Sequence, residues 1–268
     1  MNTTNLLVAL KNIVEHPVKN LTQHYNRSSN RANSAGEALE NYIKDVFCGT
    51  LNTTDENARN LVFSQHFSYL GNLCNPPDMM FRGGDAVVIK TLETSDSSIA
   101  LNSSYPKDKL YADSSMLSDY CKSAEVWTEK DLLYAVGVAP QGVLQSLWFV
   151  YGDCYFASKD FYEKLLNITD HLAVTSFNLL KERLIPFDQC YVISPEKLIE
   201  KSVALDTTSP FLNVLMLKQK YESFPLADRQ ALENLAENGL SICDCLIYSP
   251  NESSMMLNAK FISYHYPE

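Results

Sequence analysis

Asn75-Pro76-Pro77-Asp78-Met79-Met80-Phe81-Arg82-Gly83-Gly84-Asp85-Ala86-Val87-Val88-Ile89-Lys90 sets two apolar runs, Asp78–Arg82 and Asp85–Leu92, on either side of a glycine pair. Each proline fixes its own φ and restricts the residue before it, so the chain enters this stretch extended, and the flanked glycines predict a β-hairpin. Parity then decides which side chains meet. Asp78 lies opposite Lys90 only if the loop has an odd number of residues, as in a Gly83-Gly84-Asp85 turn with a glycine at positive φ. A two-residue Gly-Gly loop would set Asp78 opposite Ile89 and turn Lys90 to the other face. An aspartate and a lysine on one face suit phosphodiester hydrolysis, in which carboxylates hold Mg²⁺ against the phosphate and a cation orients the attacking water. The same spacing also suits an ordinary hairpin with a solvated lysine.

Upstream, Leu6, Leu7, Leu10, Ile13 and Val14 recur at helical spacing until Pro17. Ser34-Ala35-Gly36-Glu37 has the form of a capping box and predicts a helix to about Phe47, with Leu39, Tyr42, Ile43, Val46 and Phe47 on one face. Glu37 then points to solvent, and Glu40 falls at the edge of the buried stripe. A further helix is expected from Asp55 to Tyr69. Downstream, Leu101–Lys109 reads as loop, Asp131–Ala139 as ambiguous and Ser146–Tyr151 as a buried strand. Phe161–Leu180, Pro195–Val203 and Leu226–Ala236 read as helices. Leu240–Tyr248 and Leu257–Tyr264 read as strands around a turn at Pro250–Ser254.

With 268 residues, 46% hydrophobic and 20% charged, the chain can bury a large core. The expected division is a core over residues 1–185 with a basic N-terminal arm, and a C-terminal extension, 186–268, packed on it. The longest apolar run, Leu147–Tyr151, falls far short of the roughly 20 residues that span a bilayer, and Met1–Leu10 lacks the form of a secretory signal. Seven scattered cysteines, an odd number with no Cys-x-x-Cys spacing, exclude a disulfide framework and a zinc site. A cytoplasmic protein with no membrane partner is expected. The net charge of −10 opposes phosphate binding overall, but Lys11, Lys19, Arg27 and Arg31 face only Glu15 in residues 1–36.

The wording of several stretches resembles the NgoPII-type family of type II restriction endonucleases over roughly residues 5–165. They are Asn30-Arg31-Ala32-Asn33, Gly36–Glu40, Tyr69–Asn72, Asn75–Asp78, Gly84-Asp85-Ala86, Lys90, Ala100–Lys107 and Leu147–Tyr155. The resemblance implies an α/β fold with a PD-(D/E)xK core, a mixed central sheet flanked by helices. It further implies Mg²⁺-dependent cleavage of double-stranded DNA by a homodimer at a short palindrome, GGCC in the known family. It makes Asp78 the metal-binding aspartate, Lys90 the catalytic lysine and Glu40 a helix carboxylate completing the metal shell. At position 88, where the pattern has Glu or Asp, this chain has Val88.

Valine cannot ligate Mg²⁺, so activity is expected to be reduced or lost unless another carboxylate substitutes. Glu40, Asp85 and Glu93 are the candidates, and the last two sit at odd positions that point away from Val88 and Lys90 on a regular strand. A naturally inactive enzyme, or an introduced change that tames a toxic nuclease, would account for the valine equally well. The alternative function is a catalytically inactive DNA-binding protein that keeps the fold. For DNA contacts the expected residues are Arg27, Asn30, Arg31 and Asn33 in the arm, and Ser103, Ser104 and Lys107 after the hairpin.

Overall fold

The computed structural model describes residues 4–25, 35–72, 75–94, 108–115, 117–156, 158–159, 210–248 and 256–266. Helix α1 (Leu6–Glu15) starts where the Asn5 side chain accepts from the Leu7 and Val8 amides, and it buries the five apolar residues that set its spacing. A short α2 (Leu21–Tyr25) leads towards α3 (Ala35–Cys48), which buries Leu39, Tyr42, Ile43, Val46 and Phe47 and leaves Glu37 exposed. Ser34, the first residue of the expected capping box, lies outside the described residues.

The helix expected from Asp55 to Tyr69 is shorter. Helix α4 (Glu56–His66) ends at His66, and Phe67–Tyr69 is a strand, β1. Tertiary pairing overrides the local pattern here. Phe67 pairs with Phe81, their rings stack at 5.5 Å, and the Arg82 amide donates to the His66 carbonyl. Next come β2 (Met79–Phe81), β3 (Ala86–Leu92) and β4 (Lys109–Tyr111), so Lys109 is strand and not loop. After α5 (Asp119–Ser123), the ambiguous segment is a strand, β5 (Glu129–Val138), buried at nearly every position and therefore without alternation. Then follow β6 (Ser146–Tyr151), α6 (Gly152–Tyr155), β7 (Leu212–Leu217), α7 (Lys218–Ser223), α8 (Leu226–Glu233), β8 (Leu240–Tyr248) and β9 (Met256–Tyr264). The expected helices at Phe161–Leu180 and Pro195–Val203, and the turn at Pro250–Ser254, lie outside the described residues.

The strands form one mixed sheet in the order β1-β2-β3-β5-β6-β7-β9-β8, with β4 on β5. The β3–β5 and β6–β7 pairs are parallel and the rest antiparallel. One face carries α3, whose Phe47 meets Phe149 edge-on at 6.2 Å, and α7, whose Tyr221 ring lies against Lys260. On the other face Phe156, at the end of α6, packs on Tyr134. Helices thus flank the sheet on both sides, an α/β architecture. Among the described residues no helix is long and apolar enough to cross a membrane.

Two lysines, Lys130 buried and Lys220 partly buried, brace the hairpin. Lys130 donates to the Phe81 and Gly84 carbonyls at 3.0 and 2.7 Å and pairs with Glu125, which accepts from the Gly83 amide. Lys220, on α7, bridges Asp85 at 2.8 Å and Asp131 at 2.5 Å, and Tyr151 donates its hydroxyl to Asp85. A residue from the last third of the chain therefore anchors the foot of β3.

Candidate functional site

The hairpin turn is Arg82-Gly83-Gly84, closed by Phe81 N–H to Asp85 O at 2.9 Å and Gly84 N–H to Phe81 O at 3.1 Å, with Gly83 at φ +62°. Three residues make an odd loop, so Asp78 and Lys90 share a parity, but the turn sits one residue earlier than Gly83-Gly84-Asp85. Met79 pairs with Val87 and Met80 with Ala86, so the register continues to Asp78 opposite Val88 and not opposite Lys90. Lys90 stands one step further along the same face. On β5 the neighbours on that face are Tyr134, beside Val88, and Val136, beside Lys90.

Sheet pairing between β2 and β3 stops at Met79. There the Asp78 carboxylate takes over the role of a ladder acceptor, receiving the Ile89 amide at 2.6 Å, while the Asp78 amide donates to the Val87 carbonyl at 2.9 Å. The side chain is therefore aimed by backbone and not left to its own rotamer freedom. Gly71 permits the close passage of the preceding loop. It sits at φ +73°, and a Cβ there would come within 2.5 Å of the Asp78 carbonyl oxygen. Gly71→Ala is accordingly expected to displace Asp78 and cost about 1–3 kcal/mol. Chemical denaturation of the variant checks this, and unchanged stability would contradict it.

Electrostatics connect the expected residues. Burial pushes the Asp78 carboxyl above the usual carboxylate range; the Ile89 N–H pulls it back, Glu40 pushes it up, and Lys90 and Lys44 pull it down. Asp78 thus feels the charges of both Glu40 and Lys90, although the three come from a strand entry, a helix and a strand. Glu40 is half exposed and is held at 2.5 Å by Lys44, four residues on along α3. The Lys90 ammonium makes no hydrogen bond or ion pair among the described residues. Val88, buried at 7% exposure, stands directly opposite Asp78 and two residues before Lys90.

Carboxylate oxygens are the right chemistry for Mg²⁺. Here, however, one carboxylate is engaged by a backbone amide, the other by a lysine, and the side chain opposite Asp78 is the apolar Val88. Among the described residues no group of three or more His, Cys, Asp or Glu is placed to hold a metal ion. As it stands the donor set does not fit a Mg²⁺ ion.

Neither of the other substitutes reaches the gap. Asp85 is spent on Tyr151 and Lys220 on the opposite parity, and Glu93 is exposed beyond the end of β3. Arg27, Asn30, Arg31, Asn33, Ser103, Ser104 and Lys107 all lie outside the described residues. Sequence reasoning missed Lys44, although its spacing from Glu40 is the ordinary i,i+4 signal for an ion pair. It also missed Lys130, for which no local signal exists.

A further acidic residue, Asp153, lies on α6 within the charge field of Asp131 and Lys220. Its carboxyl is pushed up to about 6, mainly by burial and then by the charge of Asp131. The folded protein therefore holds this proton more tightly than the unfolded chain, and stability falls as pH rises from about 4 to about 6, by up to about 3 kcal/mol. Asp153→Asn is expected to remove that loss, leaving the variant the more stable above pH 6 with the advantage gone below about pH 4. Urea titrations of both proteins across this range provide the check; an advantage independent of pH would refute it.

Comparison with known proteins gives two matches. The family described as NgoPII restriction endonuclease is matched over residues 4–180. The type II restriction enzyme NgoPII of Neisseria gonorrhoeae is 37% identical over 280 aligned residues, covering 97% of this chain and 99% of that protein. The similarity thus continues well past residue 165, into the C-terminal strands. No solved structure gives a significant match.

Proposed function

Because the chain belongs to the NgoPII restriction endonuclease family, a family of type II enzymes, we propose that it acts on double-stranded DNA at a short palindrome, GGCC, as a cytoplasmic homodimer. Asp78, Glu40 and Lys90 form its active centre, and Val88 reduces or abolishes Mg²⁺-dependent cleavage. The observation that carries this reading is the placement of Asp78 and Lys90 on one face of the hairpin, with Glu40 within electrostatic reach and Val88 directly opposite Asp78. Arg27, Asn30, Arg31, Asn33, Ser103, Ser104 and Lys107 are proposed to face the DNA, the first four preceding α3 in sequence and the rest preceding β4. Residues 186–268 are proposed to belong to the same domain as the core.

The same observation favours a second reading, a DNA-binding protein that keeps the fold without the chemistry, since the carboxylate missing at position 88 is not replaced by Asp85 or Glu93. Digestion of plasmid DNA with Mg²⁺ or Mn²⁺, by this chain and by its Val88→Glu variant, separates the two. Fragments matching a GGCC map from the parent support the enzyme; fragments from the variant alone support the silenced form. The nuclease reading falls if neither protein cuts and neither binds duplex DNA at low salt.

A further inference from the structure

Among the described residues a single tyrosine, tryptophan or phenylalanine side chain is exposed, that of Tyr120 on α5, at 71%. Its place in the fold gives the exposure a meaning. Asp78, Met80, Val88 and Lys90 share one face of the hairpin, and α5 packs against that same face, where the Cys121 sulfur lies 3.8 Å from the Met80 sulfur. A duplex that brings a phosphate to Asp78 and Lys90 lies along this face and passes α5.

Three contacts fix α5 and its exit to the hairpin. Cys121 is buried on Met80, and the Tyr120 ring lies 5.7 Å from the ring of Tyr69, itself buried and paired with Met80. Just beyond the helix, Glu125 accepts from the Gly83 amide at 3.0 Å. Ser118 closes the start of α5 by accepting from the Cys121 amide at 3.2 Å. The platform under Tyr120 is held in turn: Asn72 donates to the Tyr69 hydroxyl at 3.0 Å, and between these two residues the backbone at Gly71 passes close against Asp78. Burial pushes the Tyr69 hydroxyl above its ordinary value, and the Asp78 charge adds to that rise, as expected of neighbours.

Tyr120 is therefore presented rigidly beside the hairpin face that carries Asp78, with its ring resting on Tyr69 and its hydroxyl making no hydrogen bond among the described residues. An aromatic ring of this kind carries a polar tip at low conformational cost, and tyrosine hydroxyls are among the donors that meet DNA phosphates. We propose that Tyr120 is a DNA-backbone contact of this site, its hydroxyl donating to a phosphate oxygen of the strand that Asp78 and Lys90 engage, so that it sets the register of the duplex on the hairpin face. The proposal rests on the DNA reading above and deepens it, since it places a contact outside the segments preceding α3 and β4.

The test is fluorescence anisotropy with a labelled duplex containing GGCC, at low salt in Ca²⁺, for the parent and Tyr120→Phe. The variant keeps the ring and its contact with Tyr69, so its melting temperature should match the parent's. Its affinity should fall about tenfold, the scale of a hydrogen bond to a charged group. The slope of log affinity on log salt should stay the same, because a neutral donor displaces no counterion. Single uncharged methylphosphonates, placed in turn in and beside GGCC, should include one position at which the parent weakens and Tyr120→Phe weakens no further.

A Tyr120→Phe protein that binds as tightly as the parent overturns the proposal while leaving the DNA reading intact. So does a loss in the variant that persists unchanged at every methylphosphonate position. Absence of binding by the parent itself overturns the two together.

Discussion

Val88→Glu is expected to raise Mg²⁺-dependent cleavage of plasmid DNA by several orders of magnitude over the parent chain. The register places the new side chain directly opposite Asp78 and two residues from Lys90, so its carboxylate enters the gap that the isopropyl group now fills. With three carboxylates the donor set gains the hard oxygen ligands that Mg²⁺ requires. The same change has a cost that makes it diagnostic. A carboxylate at a position with 7% exposure, beside Tyr134, is desolvated, so the metal-free variant should be less stable than the parent by about 1–3 kcal/mol. Mg²⁺ binds the folded variant and should restore part of that loss, whereas the parent's melting temperature should not move with Mg²⁺. Cleavage by the parent at the variant's rate would show that the centre is completed from elsewhere, and the assignment of Val88 would then fail.

Lys130→Met is expected to cost about 3–5 kcal/mol of folding stability, because it removes one member of a buried ion pair and leaves the other charged and unmatched. The Lys130 side chain is 4% exposed, and its ammonium serves Glu125 and two carbonyls, those of Phe81 and Gly84. Methionine fills the volume and satisfies none of them. For a chain of this size the loss corresponds to a fall of roughly 10 °C in Tm. Because the same ammonium holds both ends of the Arg82-Gly83-Gly84 turn, the register that sets Asp78 against Val88 should loosen as well. Introduced beside Val88→Glu, Lys130→Met should therefore lower cleavage even at temperatures where the protein is folded. A double variant that is less stable but equally active when folded would show that the brace supports the fold alone.

Much of this was legible in the chain itself. Gly83-Gly84 between two apolar runs announces a hairpin, and the even offset from 78 to 90 announces a shared face on condition that the loop is odd. The helical stripe of α3 places Glu37 outward and Glu40 at the edge, as the structure has them. The register itself was not legible, because it depends on which residues the turn consumes. Asp85 is withdrawn from the turn by Tyr151 and Lys220, 66 and 135 residues away, and no local rule reports such partners. β1 was hidden for a similar reason: Phe67 and Tyr69 continue a helix-like pattern until Phe81 and Met80 pair with them. β5 was ambiguous because a strand covered on both faces has no alternation to read. Lys44 was legible through its spacing from Glu40, and it became informative only once Asp78 was seen to feel both charges.

The parallel contact of β6 with β7 has a consequence for how the molecule comes into being. Leu147 lies beside Leu212 in the middle of the sheet, so the chain must grow by 65 residues beyond the first before the contact can form. Contacts this distant in sequence are slow to find, since the entropy of closing the loop is lost before any burial compensates it. On the ribosome the first six strands can assemble early, but they do so with the apolar flank of β6 uncovered. That flank, Leu147 to Val150, is a template for unwanted pairing until β7 arrives, and β7 in turn waits for β9, close to the end of the chain. A nascent or truncated chain ending before residue 212 should therefore depend on chaperones to stay dispersed.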